Sequence, residues 1–310
     1  MNIDMKKILL TIFSLAAAML TMSSCSKETP AEHGDGEEEL IITATIAGAG
    51  TKVTFAEQGS SPVVLHPSWT VGDVVIGFDN ASKTYGYEVT AVDGTTGKAK
   101  LKMISSGTYA GNAGQDPSDG TVMYMIYAPG KHPSDISANS LRVSLVSQSA
   151  DVVPALMMAE GTVADGKLSL VFSNETVIVG IKDPVMNTGG KSYTAFTVTA
   201  TTSSSLGIDT EVVFSLDGGH LKASYQTPGD ITKAVNFTSD ATTRKGPAIT
   251  WLAVCPLSSP ADLYFVSGDN ESYGMVIDKL EKGHYYHTTP VFGPPEMGLD
   301  FNNLTDSGLI

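Results

Sequence analysis

Two cysteines and six histidines are the side chains best suited to metal or nucleophilic chemistry in this 310-residue sequence. Of the histidines, only His284 and His287 lie close together. Three positions apart on a strand they point to opposite faces, so they cannot share a metal ion. Cys255 ends the apolar run Trp251-Leu252-Ala253-Val254 with no base beside it, which reads as a buried small hydrophobe rather than a nucleophile. Acidic residues such as Asp116, Asp119, Asp269 and Glu271 fall in loops, where solvation explains them better than an acid–base pair. The sequence has no Gly-x-Ser-x-Gly, His-Glu-x-x-His, phosphate-loop, dinucleotide or EF-hand pattern. No catalytic residue, metal site or cofactor is expected, and the chain is not read as an enzyme.

Cys25 is different, because its position implies covalent chemistry. Met5-Lys6-Lys7 precede an apolar stretch from Ile8 to Leu20, and small and polar residues then lead to Cys25. About 13 apolar residues fall short of the ~20 that a spanning helix needs, so residues 1–24 read as a secretory signal peptide. Leu20-Thr21-Met22-Ser23-Ser24-Cys25 resembles a bacterial lipobox, with Met22 where a small or branched residue is usual. Processing there would leave a lipidated Cys25 as the new N-terminus; the alternative is an ordinary cleaved signal with Cys25 as a spectator thiol. Residues 25–39 then form a tether. Glu28, Glu32, Asp35 and Glu37 to Glu39 face only Lys27, and such a segment repels itself and buries little. The lipid would hold the protein to a membrane while the acidic spacer keeps the folded part away from it.

The elements that follow are strands. Charged residues are only 17% of the chain, glycines number 31, and short β-like segments alternate with Gly, Asn, Asp and Pro turns from Leu40 onward. Leu40–Ile46, Val74–Phe78, Tyr85–Val92, Val122–Ala128, Lys167–Phe172, Val177–Ile181 and Ile249–Val254 are clear examples. Helical periodicity is missing after the signal peptide, so the class is all-β, with sandwiches or barrels. About 270 residues is long for one sandwich. The turn-rich Asp183-Pro184-Val185-Met186-Asn187-Thr188-Gly189-Gly190 suggests a linker, 183–190, between a 40–182 domain and a 191–292 domain, with a tail at 293–310. A net charge of -14 argues against nucleic-acid binding.

Several motifs then add up. Thr51-Lys52-Val53-Thr54-Phe55 is followed by Trp69-Thr70-Val71-Gly72-Asp73 and the run Val74 to Phe78. Later come Tyr124-Met125-Ile126-Tyr127-Ala128-Pro129, the segment Gln148 to Ala159, and Leu280-Glu281-Lys282-Gly283-His284-Tyr285-Tyr286. In this order and spacing they resemble the fimbrillin-like surface lipoproteins, the type V pilin or Mfa-like family of outer-membraned bacteria. Phe172-Ser173-Asn174 departs from the aromatic-then-His pattern of many relatives. The resemblance implies two transthyretin-like β-sandwich domains in tandem, an outer-membrane lipid anchor, and a surface fimbrial role in cell adhesion. It also implies polymerisation with other pilin subunits by strand exchange. The alternative is a monomeric surface lipoprotein that binds a glycan or a host protein. Trp69 reads as core, since a lone Trp beside a buried strand is more often packed than a carbohydrate platform.

In the family, an arginine-specific protease removes the first strand and the vacated groove accepts a strand from the next subunit. The counterpart here is residues 40–46, with Leu40, Ile42, Ala44 and Ile46 on one face. Arg142 and Arg244 are the only arginines and lie far downstream, whereas Lys52 is the sole basic residue between Lys27 and Lys83. Lys52 is therefore the expected processing site. Met297, Leu299 and Phe301 alternate along the tail and could fill pockets on a neighbour's open sheet edge; scattered apolar residues in a disordered tail are the other reading.

Overall fold

The computed structural model describes residues 40–46, 57–58, 64–65, 68–150, 155–202, 207–268, 271–293, 300–301 and 305–309. The expected signal peptide and tether at 1–39, with Cys25, and the candidates Lys52, Met297 and Leu299, lie outside the described residues. The described residues are β-structure joined by turns, with one short 3-10 turn at Pro133–Asp135.

Seven strands form a closed barrel. Their order is Ile41–Ile46, Lys167–Asn174, Met157–Thr162, Val122–Tyr127, Val74–Asp79, Thr84–Val92 and Ala99–Met103, and the last pairs back to the first. The expectation for this half was a sandwich. It closes instead because Ile41–Ile46 is hydrogen-bonded on both sides, parallel to Lys167–Asn174 and antiparallel to Ala99–Met103.

Sequence pattern explains which strands lie deepest. Lys167–Asn174 alternates buried and exposed residues, as a sheet with one wet face requires. Val74–Asp79 and Val122–Tyr127 are buried almost throughout, and both read as continuous apolar runs. The cause is a second core. Val75, Met123 and Met125 point into the barrel, while Ile76, Phe78, Tyr124 and Ile126 pack against the C-terminal sheets.

The C-terminal half has a four-stranded sheet, ordered Ile249–Val254, Val177–Lys182, His284–Thr288 and Thr305–Leu309. A six-stranded sheet runs Asp300–Phe301, Ser272–Ile277, Ala261–Ser267, Ser192–Thr202, Ile231–Thr238 and Ser147–Gln148. A third sheet joins His220–Gly229, Ile208–Asp217 and Ser140–Ser144. Pro228 sits in the outermost strand of that sheet, where a missing N–H is tolerated.

Strand pairing crosses the expected 183–190 boundary. Ser140–Ser144, Ser147–Gln148 and Val177–Lys182 precede it, yet each pairs with strands that follow it. The segment itself is packed: Met186 is fully buried, and Val185 bridges to both Lys245 and Val291. Its turn residues are real, with Asp183 and Gly190 at positive φ, but they serve a corner inside one compact unit that begins at Glu39.

Candidate assembly site

The first strand is the element on which the functional reading turns. Leu40, Ile42, Ala44 and Ile46 are all buried, whereas Ile41 is 52% exposed and Thr43 and Thr45 are half-buried. The four apolar side chains belong to a core with Leu101, Leu168, Leu170 and Phe172. Ladder pairing runs the full strand length against Lys167–Asn174. It is supplemented by the Ile41 amide donating to the Gly166 carbonyl at 3.0 Å and the Thr45 hydroxyl donating to the Leu170 carbonyl at 3.3 Å. Removing this strand would strip the backbone groups of two neighbouring strands and uncover an apolar groove.

Motifs far apart in sequence meet in this same barrel core. The Trp69 ring lies edge-on to Tyr127 at 5.5 Å and to Phe172 at 5.1 Å. Gly72, at φ +96°, allows the turn that follows Trp69, and the Asp73 carboxylate accepts the Thr70 amide at 2.7 Å across it. The Tyr127 hydroxyl donates to the other Asp73 oxygen at 3.4 Å. Burial raises the Asp73 carboxyl pKa above its ordinary value, partly offset by these two hydrogen bonds. Trp69 is 2% exposed, so its ring has no face available for a ligand.

The tail pairs with this chain's own sheets. Asp300–Phe301 lies parallel to Met275 and Val276 at one edge, and Thr305–Leu309 lies antiparallel to His284–His287 at another. Phe301 thus stands in an edge strand.

The remaining candidate chemistry is structural. Tyr285 and Tyr286 are both buried between the half-buried His284 and His287, in a strand whose pairing with Val177–Lys182 is regular; the register irregularity opposite them lies on the tail strand, where Ser307 is the extra residue. Each histidine instead lies near a tyrosine ring, His284 by Tyr286 and His287 by Tyr285. No group of three His, Cys, Asp or Glu side chains capable of holding a metal occurs among the described residues. Cys255 is fully buried, and burial together with Asp209 pushes its thiol pKa upward, away from the nucleophilic thiolate.

Sequence reasoning missed two features. One is a cavity of about 700 Å³ with Pro256, Leu257 and Leu280 in its wall beside Tyr225, Asp209 and Lys282. Nearby, the fully buried Glu175 accepts from the Lys282 ammonium at 2.7 Å and the Ser173 hydroxyl at 2.8 Å. The other is Gln148, whose side-chain amide bonds to the backbone of Ala253, 105 residues away. Gln148 opens one of the motif segments, and Leu280 and Lys282 belong to another, but their partners are not legible locally, because both features depend on residues brought together only by strand order.

No protein-family model matches the sequence, and no curated protein matches it. Among solved structures, a candidate cell adhesion protein from Bacteroides uniformis is 15% identical with a TM-score of 0.48, covering 81% of this chain and 91% of that one. A second from Bacteroides ovatus is 16% identical with a TM-score of 0.47, covering 87% and 96%. The tip fimbrial protein Mfa3 from Porphyromonas gingivalis, with a C-terminal truncation, is 8% identical with a TM-score of 0.36, covering 86% and 98%. These neighbours bear the names of fimbrial and adhesion proteins, not of enzymes.

Proposed function

We propose that the chain is a structural or accessory subunit of bacterial surface fimbriae, supporting cell adhesion. It is exported through the 1–24 signal, anchored to the outer membrane by lipid on Cys25, and spaced from it by the tether at 25–39. Its body is one compact β unit with two cores, one inside the barrel and one between it and the C-terminal sheets. The observation that carries this reading is the first strand: a six-residue element that closes a barrel, with every core-facing side chain apolar and both edges paired. Such an element is the natural piece to exchange, since its loss creates a binding groove of its own shape. Lys52 is the processing site in this reading, and the tail carrying Met297, Leu299 and Phe301 is the donor that enters a neighbour's groove.

Limited trypsin treatment tests the assembly step. Cleavage after Lys52 should yield a new N-terminus at Val53 and, with it, polymers resolved by size. A Lys52→Ala protein should remain a monomer under the same treatment; assembly equal to wild type in that variant would remove the role of Lys52. For the anchor, Cys25→Ala should abolish fatty-acid labelling and release the protein from the membrane fraction, and unchanged labelling would refute lipidation there.

The cavity beside Tyr225 favours a second reading, a monomeric surface lipoprotein that binds a glycan or a host protein. An apolar wall with an aromatic ring, a carboxylate and an ammonium at its rim is a suitable receptor for a small polar ligand. A protein that stays monomeric after cleavage at Lys52 would favour this reading over assembly.

A further inference from the structure

The walls of the 700 Å³ cavity are held in place by the fold itself. Two of its loops are laced together: the Leu257 amide donates to the Leu280 carbonyl at 3.0 Å, and the Leu280 amide donates back to the Leu257 carbonyl at 2.8 Å. With Pro256, these residues make one stretch of the wall apolar. Tyr225 contributes a ring rather than a hydroxyl, because its O–H already donates to the Glu175 carbonyl at 2.9 Å.

The charged side chains of the wall are partnered too, with one exception. Lys279 is bridged to Glu281, whose other oxygen lies 3.6 Å from His284. Lys282 donates to the fully buried Glu175 at 2.7 Å. The Asp209 carboxylate, which also lines the cavity, makes no hydrogen bond or ion pair among the described residues. Burial raises its pKa above the ordinary carboxyl value, and no neighbour offsets the rise. A partly desolvated carboxylate without a partner gains far more from a cationic ligand than from a neutral one.

We propose that this cavity takes an aliphatic ammonium, the lysine side chain of a partner protein, with its charge on Asp209 and its methylene stem on the apolar stretch of the wall. A stem of methylenes asks for nothing but the surface that Pro256, Leu257 and Leu280 supply. A sugar would bring several hydroxyls, whereas Lys279, Glu281, Lys282 and the Tyr225 hydroxyl are already engaged within the fold. The Tyr225 ring adds an attraction for a cation over its face. The inference rests on the reading of this cavity as a receptor, and it supplies the ligand class and the selecting residue.

Nα-acetyl-lysine methylamide is the probe, with its norleucine counterpart as the uncharged analogue and glucose as the sugar. Titration calorimetry on the full chain should show saturable binding of the lysine compound. The norleucine compound should bind at least about tenfold more weakly, the loss of one charge-assisted hydrogen bond. Asp209→Asn keeps the shape and removes the charge, so it should reduce the lysine compound to the norleucine level without lowering the melting midpoint. Ser258→Trp, at an exposed position of the wall, should block every probe. If norleucine or glucose binds as tightly as lysine, or Asp209→Asn binds lysine as wild type does, the ammonium preference is overturned while the receptor reading stands. If no probe binds, or if binding survives Ser258→Trp, both are overturned.

Discussion

Replacing Trp69 with alanine is expected to cost about 3–5 kcal/mol and to melt the barrel first. The indole is 2% exposed and wedged edge-on between Tyr127 and Phe172, so truncation leaves a cavity that two large rings cannot fill without abandoning their own contacts. A domain's whole stability is about 5–15 kcal/mol, so the loss is a large fraction of it. Trp69→Phe should recover part of it by restoring an aromatic edge at smaller volume. Denaturant unfolding of both variants gives the comparison. A melting midpoint unchanged in Trp69→Ala, with a glycan-binding signal lost, would mean that the ring serves a ligand instead of the core.

The same residue shows what the sequence made legible. A lone Trp before a Gly-Asp turn and a buried Val-Val-Ile run predicts a core anchor, because local turn chemistry and an apolar strand suffice to place it. The face assignment of Leu40, Ile42, Ala44 and Ile46 rests on equally local grounds, since strand periodicity alone puts alternate residues on one side. That Ile41–Ile46 pairs parallel with Lys167–Asn174 is another matter. Parallel pairing over more than a hundred residues is set by the whole topology, and nothing in either segment encodes its partner.

The division of the chain was hidden for a related reason. Asp183 to Gly190 carries the composition of a linker, and at the level of φ angles it is a turn. Composition reports where the chain bends, whereas packing decides whether the bend lies between bodies or inside one. Met186 is fully buried, and the strand just before it, Val177–Lys182, is central to the four-stranded sheet. Its continuous burial could have raised the question, because Val-Ile-Val-Gly-Ile fits a strand covered on both faces better than the last strand of a separate domain. Gln148 was less accessible still: a glutamine between serines looks solvated until Ala253 is brought alongside it.

Ala44→Asp should separate the first strand from the barrel without any protease. Ala44 is fully buried and sits opposite Ala99 on one side and Leu170 on the other, in a core whose neighbouring side chains are apolar. Among the described residues of that core there is no cation for a carboxylate to pair with, and an uncompensated buried charge costs on the order of 3–5 kcal/mol. Expelling one terminal strand is the less costly relief, because the other six barrel strands keep their consecutive pairings. The variant should then behave as the cleaved protein does in the proposed assembly, forming polymers without trypsin and also in the Lys52→Ala background. Adding a synthetic peptide of residues 40–46 should refill the groove and return it to monomer. Ile41→Asp supplies the control: that side chain is 52% exposed on the opposite face, and its substitution should change neither size nor protection. If Ala44→Asp remains a monomer with residues 41–46 still protected from exchange, the strand is a fixed part of the barrel and exchange at this site is excluded.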